Sequence, residues 1–160
     1  MSNRTYRYFG GQPLYAFGHG LSYTQFKLDQ VQVSGDLTCT SGVARVAFRL
    51  ANIGQRHGDE VVQIYLRELQ SRPHQPRQQL CGFRRFSVAA GGYSDGAIDI
   101  PVRYFRHWDA AKSDYIVAPG NYELLVGTSS DEIMARCNVK IGGTPAATTA
   151  EAPAQRAINR

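Results

Sequence analysis

Beyond the first 25 residues the chain alternates apolar and polar positions with a period of two. Val46, Phe48 and Leu50 alternate with Arg45, Ala47 and Arg49, the signature of an antiparallel strand with one face buried and one wet. Residues 60–67 repeat the pattern, with Val62, Ile64 and Leu66 inward and Gln63 and Tyr65 outward. Residues 79–88 read as a strand whose alternation breaks at Cys81-Gly82-Phe83, the sign of a bulge. Residues 95–102 point Ile98, Ile100 and Val102 inward, and residues 115–117 and 122–128 flank a turn at Pro119-Gly120-Asn121. The last strand, residues 132–141, sets Ile133, Ala135, Cys137, Val139 and Ile141 on one face. An earlier strand over 26–33 shifts phase between Leu28 and Val31, which implies a bend. Residues 52–59 and 70–79 read as loops, the second exposed and mobile, and Ala90-Gly91-Gly92 as a turn. Residues 104–109 form a corner with one short helical turn.

About seven short strands with turn signals roughly every 8–12 residues predict an all-β chain. The expected form is an immunoglobulin/fibronectin type III-like antiparallel β-sandwich over residues 26–142. No amphipathic helix of crossover length is present, which excludes a parallel α/β sheet. Residues 143–160 hold Ala, Thr and Pro but almost no large apolar residue. They cannot offset the entropy of ordering and are expected to be a disordered tail.

Residues 1–25 obey neither period. Within Pro13-Leu14-Tyr15-Ala16-Phe17-Gly18-His19-Gly20-Leu21-Ser22-Tyr23-Thr24, a helix would carry two interior glycines at roughly 1 kcal/mol each. A strand interior tolerates them no better. An irregular, ordered strap fits, with glycines taking positive φ or admitting close backbone approach. Its aromatic and aliphatic residues look for a surface to bury against.

The run Arg4-Thr5-Tyr6-Arg7-Tyr8-Phe9 and the strap through Phe26 closely resemble a segment of glycoside hydrolase family 3 enzymes. Further matches follow in the family's order. They are Asn52-Ile53-Gly54, residues 58–66, Arg72-Pro73, residues 80–83, Trp108-Asp109, residues 118–122 and residues 126–131. Residues 68–79 are longer and richer in Arg, Gln and Pro than is usual there, and Ala16 replaces a common proline. The resemblance implies the C-terminal fibronectin type III-like domain of a β-glucosidase- or β-xylosidase-like enzyme, with its entry linker. The chain is then expected to be a piece of a larger enzyme and non-catalytic by itself, because the family's nucleophile and acid/base residue lie in segments outside it. Its partners would be the parent's catalytic domains, met through Tyr6, Tyr8, Phe9, Leu14, Tyr15, Phe17, Gly18, His19, Gly20, Leu21 and Tyr23. The same residues, left uncovered, would drive self-association. The compartment stays open, a periplasmic or secreted parent among the options.

Composition narrows the alternatives. The formal charge of +5 arises from 18 basic and 13 acidic residues, but no Lys/Arg run has the length of a nucleic-acid patch. No apolar run approaches the ~20 residues that span a bilayer, and Met1-Ser2-Asn3-Arg4 lacks a signal-peptide core. Three well-separated cysteines, Cys39, Cys81 and Cys137, show no zinc-ligand spacing. One disulfide is allowed, and Cys137 reads as a small buried hydrophobe. No cofactor motif appears. Glycoside hydrolysis needs two carboxyl groups about 5–10 Å apart, and nothing in the spacing of Asp59, Glu60, Asp99, Asp109, Asp131 and Glu132 nominates a pair. His19, between two glycines of the strap, could be imagined as a general base but reads as a ring hydrogen-bonded and packed at a domain boundary. The alternatives are a stand-alone protein-interaction β-sandwich and a stand-alone carbohydrate-binding module, for which Tyr104 and Trp108 are stacking candidates alongside Tyr65 and Tyr93. For Trp108, next to Phe105 at a sandwich corner, core or boundary packing is the expected fate.

Overall fold

The computed structural model describes residues 5–70 and 75–144. Arg72-Pro73 and nearly all of the expected tail lie outside the described residues. The chain folds as two facing sheets. One holds β1 (Phe26–Ser34), β3 (Val43–Asn52) and β6 (Tyr93–Pro101), in that order. The other runs β2 (Leu37–Thr38), β10 (Ile133–Gly142), β9 (Gly120–Gly127), β4 (Gly58–Glu68), β5 (Gln79–Val88). Their pairings are antiparallel except for the short β2 beside β10. The long strands are the ones the alternation predicts. A 3-10 turn, Val102–Phe105, leads into a two-stranded hairpin of β7 (His107–Asp109) and β8 (Asp114–Ile116).

The inward positions fill the space between the sheets. Val46, Phe48 and Leu50 of β3 share one core with Val62, Ile64 and Leu66 of β4, and with Ile98, Ile100, Leu124, Val126 and Ile141. Phe48 and Phe86 meet edge to face at 5.3 Å. Burial of each such side chain contributes about 1.5–3 kcal/mol. On the outer face of the first sheet, Arg45 and Arg49 pair across strands with Asp99 and Asp95 at 3.0 and 2.7 Å. Part of the basic composition is thereby spent in exposed ion pairs worth at most ~1 kcal/mol each.

Both expected irregularities are present. The β1–β3 register slips between Asp29 and Gln32, where Gln30 takes a positive φ of 53°. In β5 the residue opposite Tyr65 is Leu80 and that opposite Ile64 is Gly82, so Cys81 is the extra residue of a bulge. At the start of β9 the buried Tyr122 donates its hydroxyl to the Ala118 carbonyl at 2.8 Å, the tyrosine corner of this architecture.

Two expectations need correction, and one point left open is answered. No disulfide forms: the three cysteines are free, with Cys39 and Cys81 buried. Burial pushes the Cys81 thiol up to about 12. Cys137 is only half-buried, because β10 lies near the sheet edge with just the two-residue β2 beyond it. Trp108 is not a core residue. It projects on the β7–β8 hairpin and is 54% exposed, while Phe105 fills the corner against Tyr122 at 5.2 Å.

Candidate functional site

The strap runs over the outer face of the second sheet, and one side of it is pinned there. Gln63 and Tyr65 leave the inter-sheet core as their phase requires, yet both are buried. The ring of Tyr6 stacks on Phe17 at 4.1 Å and 11°, and meets Tyr65 edge-on at 6.1 Å. The Tyr65 hydroxyl donates to Gln63 Oε1 at 2.5 Å. Gln63 Nε2 in turn donates to the carbonyls of Gly18, at 3.1 Å, and Thr128. The Ser130 amide closes the contact on the Phe17 carbonyl at 2.9 Å. Upstream, Arg7 Nη2 donates to Gln79 Oε1 at 2.7 Å, Arg77 Nη1 to the Phe9 carbonyl at 2.8 Å, and the Leu80 amide to the Tyr6 hydroxyl at 3.0 Å.

A second anchor holds the strap's exit. The buried side chain of Asn52 accepts from Thr24 Oγ1 at 2.6 Å and from the Gly54 amide at 3.1 Å. Its Nδ2 donates to the carbonyls of Arg56 and Val88 at 2.7 and 3.0 Å. Neither Gln63 nor Asn52 stands out in the sequence as a site residue, and Tyr65, a stacking candidate there, is fully buried under the strap instead. For Asn52 the Asn-Ile-Gly motif was the available signal; for the pair on β4, period two says only that they leave the core.

The opposite side of the strap is bare. Leu14, Leu21 and Tyr23 are 91%, 94% and 91% exposed, and Tyr15, Phe17 and Phe9 are exposed to lesser degrees. Tyr6 and Tyr8 are half-buried; His19 is exposed, its ring tilted against Tyr15 at 5.5 Å. Gly20 has open space around it, so nothing there demands glycine. Gly18 differs: its φ is +81°, and a Cβ would lie 2.2 Å from Gln63 Oε1. Gly18→Ala will therefore unclip the strap, increasing hydrogen exchange of the His19 amide at least tenfold while the melting temperature changes by only a few degrees. Unchanged exchange would show that the clip is not what orders the segment.

Two clefts flank this region. One, about 910 Å³, lies between the strap and the sheet, with Arg7, Arg67, Arg77 and Arg136 on its walls against Asp131. The other, about 760 Å³, opens under the β7–β8 hairpin and is bordered by Trp108 and Tyr115. Tyr104 borders neither; Arg103 lies over its ring at 5.3 Å.

Comparison with known proteins decides the family. The profile of the fibronectin type III-like domain matches residues 60–130. Over 142 residues the chain is 30% identical to thermostable β-glucosidase B of Acetivibrio thermocellus, covering 87% of this chain and 19% of that protein. A xylan 1,4-β-xylosidase of Xylanibacter ruminicola is 36% identical over 130 residues, 81% of this chain and 15% of the relative. The chain carries the fibronectin type III-like domain of glycoside hydrolase family 3 enzymes. The solved β-glucosidase 3B of Thermotoga neapolitana superimposes on it with a TM-score of 0.78 at 32% identity, covering 89% of this chain and 19% of that one. The chain thus spans less than a quarter of the length of the relatives it matches.

In this fibronectin type III-like domain several of the candidate carboxylates are engaged locally. Asp99 pairs with Arg45, and Asp109 accepts from the Ala111 amide at 2.9 Å in the hairpin turn. Glu132 accepts from Thr128 Oγ1 at 3.0 Å. The Ser87 hydroxyl and the Arg85 guanidinium hold the Asp59 carboxyl below the usual range. His57, Ser87 and Asp59 form a cluster that sequence spacing does not reveal. Its geometry is not that of a nucleophile, base and orienter. His57 Nε2 faces both Ser87 Oγ at 3.1 Å and Asp59 Oδ1 at 3.9 Å, so the carboxylate does not hold the opposite ring nitrogen.

Glu60 is the carboxyl whose proton affinity rises. Burial pushes it above its ordinary value of 4.5, with Glu132 adding to the push and the Val61 amide opposing it. The folded state therefore holds this proton more tightly than the unfolded chain, and stability falls as pH climbs from about 4.5 through the folded value. Glu60→Gln should raise the melting temperature at pH 7 and lose that advantage below pH 4.5, as melting curves across pH will show. A gain independent of pH would assign the effect to packing.

Proposed function

We propose that this fibronectin type III-like domain is a non-catalytic accessory domain. It covers an apolar face of the catalytic region in a β-glucosidase- or β-xylosidase-like enzyme, and the strap is the boundary between them. One observation carries the reading: the strap is hydrogen-bonded and ring-stacked to its own sheet on one side, yet leaves Leu14, Leu21 and Tyr23 almost wholly bare on the other. A free-standing sandwich gains nothing by ordering apolar side chains in water, whereas a neighbouring domain would recover about 1.5–3 kcal/mol from each. Of the four arginines of the strap cleft, Arg67 and Arg136 are paired with Glu123 at 3.5 and 3.4 Å, and Arg7 and Arg77 suit an acidic segment of that neighbour. The relatives' names, β-glucosidases and a xylan β-xylosidase, supply the class of the enzyme.

Light scattering over a concentration series tests the reading. The isolated chain should self-associate through the bare face, and its amides over residues 10–15 and 20–23 should exchange freely. A strict monomer with those amides protected would remove the support. Release of nitrophenol from a nitrophenyl glycoside by the purified chain would contradict the non-catalytic assignment.

A further inference from the structure

The β7–β8 hairpin carries an aromatic surface that the accessory role does not use. Trp108 and Tyr115 are cross-strand partners, and their rings meet edge to face at 5.2 Å and 70°. They are 54% and 56% exposed, so neither contributes its full area to the core. Both border the 760 Å³ cleft, whose floor includes the buried Phe105 and whose walls include Arg7, Arg106, Glu68 and Asp109.

Three properties of this cleft define a ligand class. Its volume lies in the range of small-molecule sites and accommodates a short oligosaccharide. Its exposed rings offer an apolar platform with polar edges, the surface that the C–H face of a pyranose covers. Among the described residues, with histidine counted neutral, two guanidinium groups on its walls stand against two carboxylates, so neither an anion nor a cation is favoured. The strap cleft keeps a positive excess, with four arginines against Asp131 and the Glu123 that pairs with Arg67 and Arg136. Planar donors and acceptors of both signs match adjacent hydroxyls, which donate and accept together. Asp109 is further fixed at the hairpin turn by the amides of Ala111 and Lys112.

We propose that the hairpin cleft binds a neutral oligosaccharide, stacked on Trp108 and Tyr115 and hydrogen-bonded by Arg106 and Asp109. The site goes beyond the accessory role, and its success or failure leaves the strap experiments untouched.

Trp108 is the single tryptophan of the chain, so its emission reports binding directly. Titration of the full chain with cellotriose and with xylotriose should give a saturable emission change for at least one sugar, with a Kd between about 0.1 and 10 mM. By calorimetry, Trp108→Ala and Tyr115→Ala should weaken that binding at least tenfold, with melting temperatures near wild type. Trp108→Phe should retain part of it. Tyr104→Ala, outside the cleft, should bind as wild type. No saturable change with either sugar, undiminished binding by Trp108→Ala, or tighter binding of an oligogalacturonate than of the neutral sugars would overturn the proposal.

Discussion

Replacing Tyr65 with alanine will lower the unfolding free energy by about 4 kcal/mol and release the strap in the same step. The side chain is fully buried on the outer face of the second sheet, opposite Leu125 in the β4–β9 register. Its ring takes the edge contact of Tyr6, and its hydroxyl orients Gln63 toward the Gly18 carbonyl. Burial raises the phenol far above its ordinary value, so it remains a donor at any working pH. Tyr65→Phe keeps the ring and removes the donor, leaving Gln63 Oε1 buried without it, at a cost of about 1–2 kcal/mol. Urea titration of the three proteins checks the order, and exchange at Tyr8, Phe9 and His19 checks the strap. If Tyr65→Ala left those amides as slow as in wild type, the strap would owe its order to other contacts.

Asn52→Ala will be comparably severe, lowering stability by about 3–4 kcal/mol. One amide side chain makes four hydrogen bonds at the end of β3, to Thr24, Gly54, Arg56 and Val88. Removing it strands the buried Val88 carbonyl and the part-buried groups of Thr24 and Gly54, at about 1–3 kcal/mol each where water is excluded, while the Arg56 carbonyl can turn to solvent. For a domain of this size the melting temperature should fall by about 10 °C. Asn52→Asp separates the two halves of the network: it preserves acceptors for Thr24 and Gly54 but presents no donor to Arg56 and Val88. It should therefore lie between wild type and alanine at neutral pH. A loss below 1 kcal/mol for Asn52→Ala would show that the loop can satisfy itself without the clamp.

What the sequence revealed followed from periodicity. Val46-Phe48-Leu50 and Val62-Ile64-Leu66 announce their strands because one face of each packs on the other sheet. The irregularities at Leu28–Val31 and Cys81-Gly82-Phe83 announce themselves as broken alternation. What it concealed depended on contacts between segments distant in the chain. Tyr65 is outward by phase, yet the strap, some fifty residues earlier, lies over it and it is buried. Trp108 next to Phe105 suggested a shared corner, but a Ser113 with φ of 49° turns the chain into a hairpin that lifts the indole out. The glycines looked alike as well, yet Gly18 is held by Gln63 while Gly20 touches nothing.

A strap anchored on one side and apolar on the other is tested most directly by binding in trans. The chain should be titrated into the β-glucosidase 3B of Thermotoga neapolitana after removal of the portion that this chain matches. Wild type should bind with a negative heat-capacity change, and a Leu14→Asp, Leu21→Asp, Tyr23→Ser variant of unchanged melting temperature should bind at least tenfold more weakly. If wild type does not bind, or the variant binds equally well, the bare face is not a docking face and the account fails.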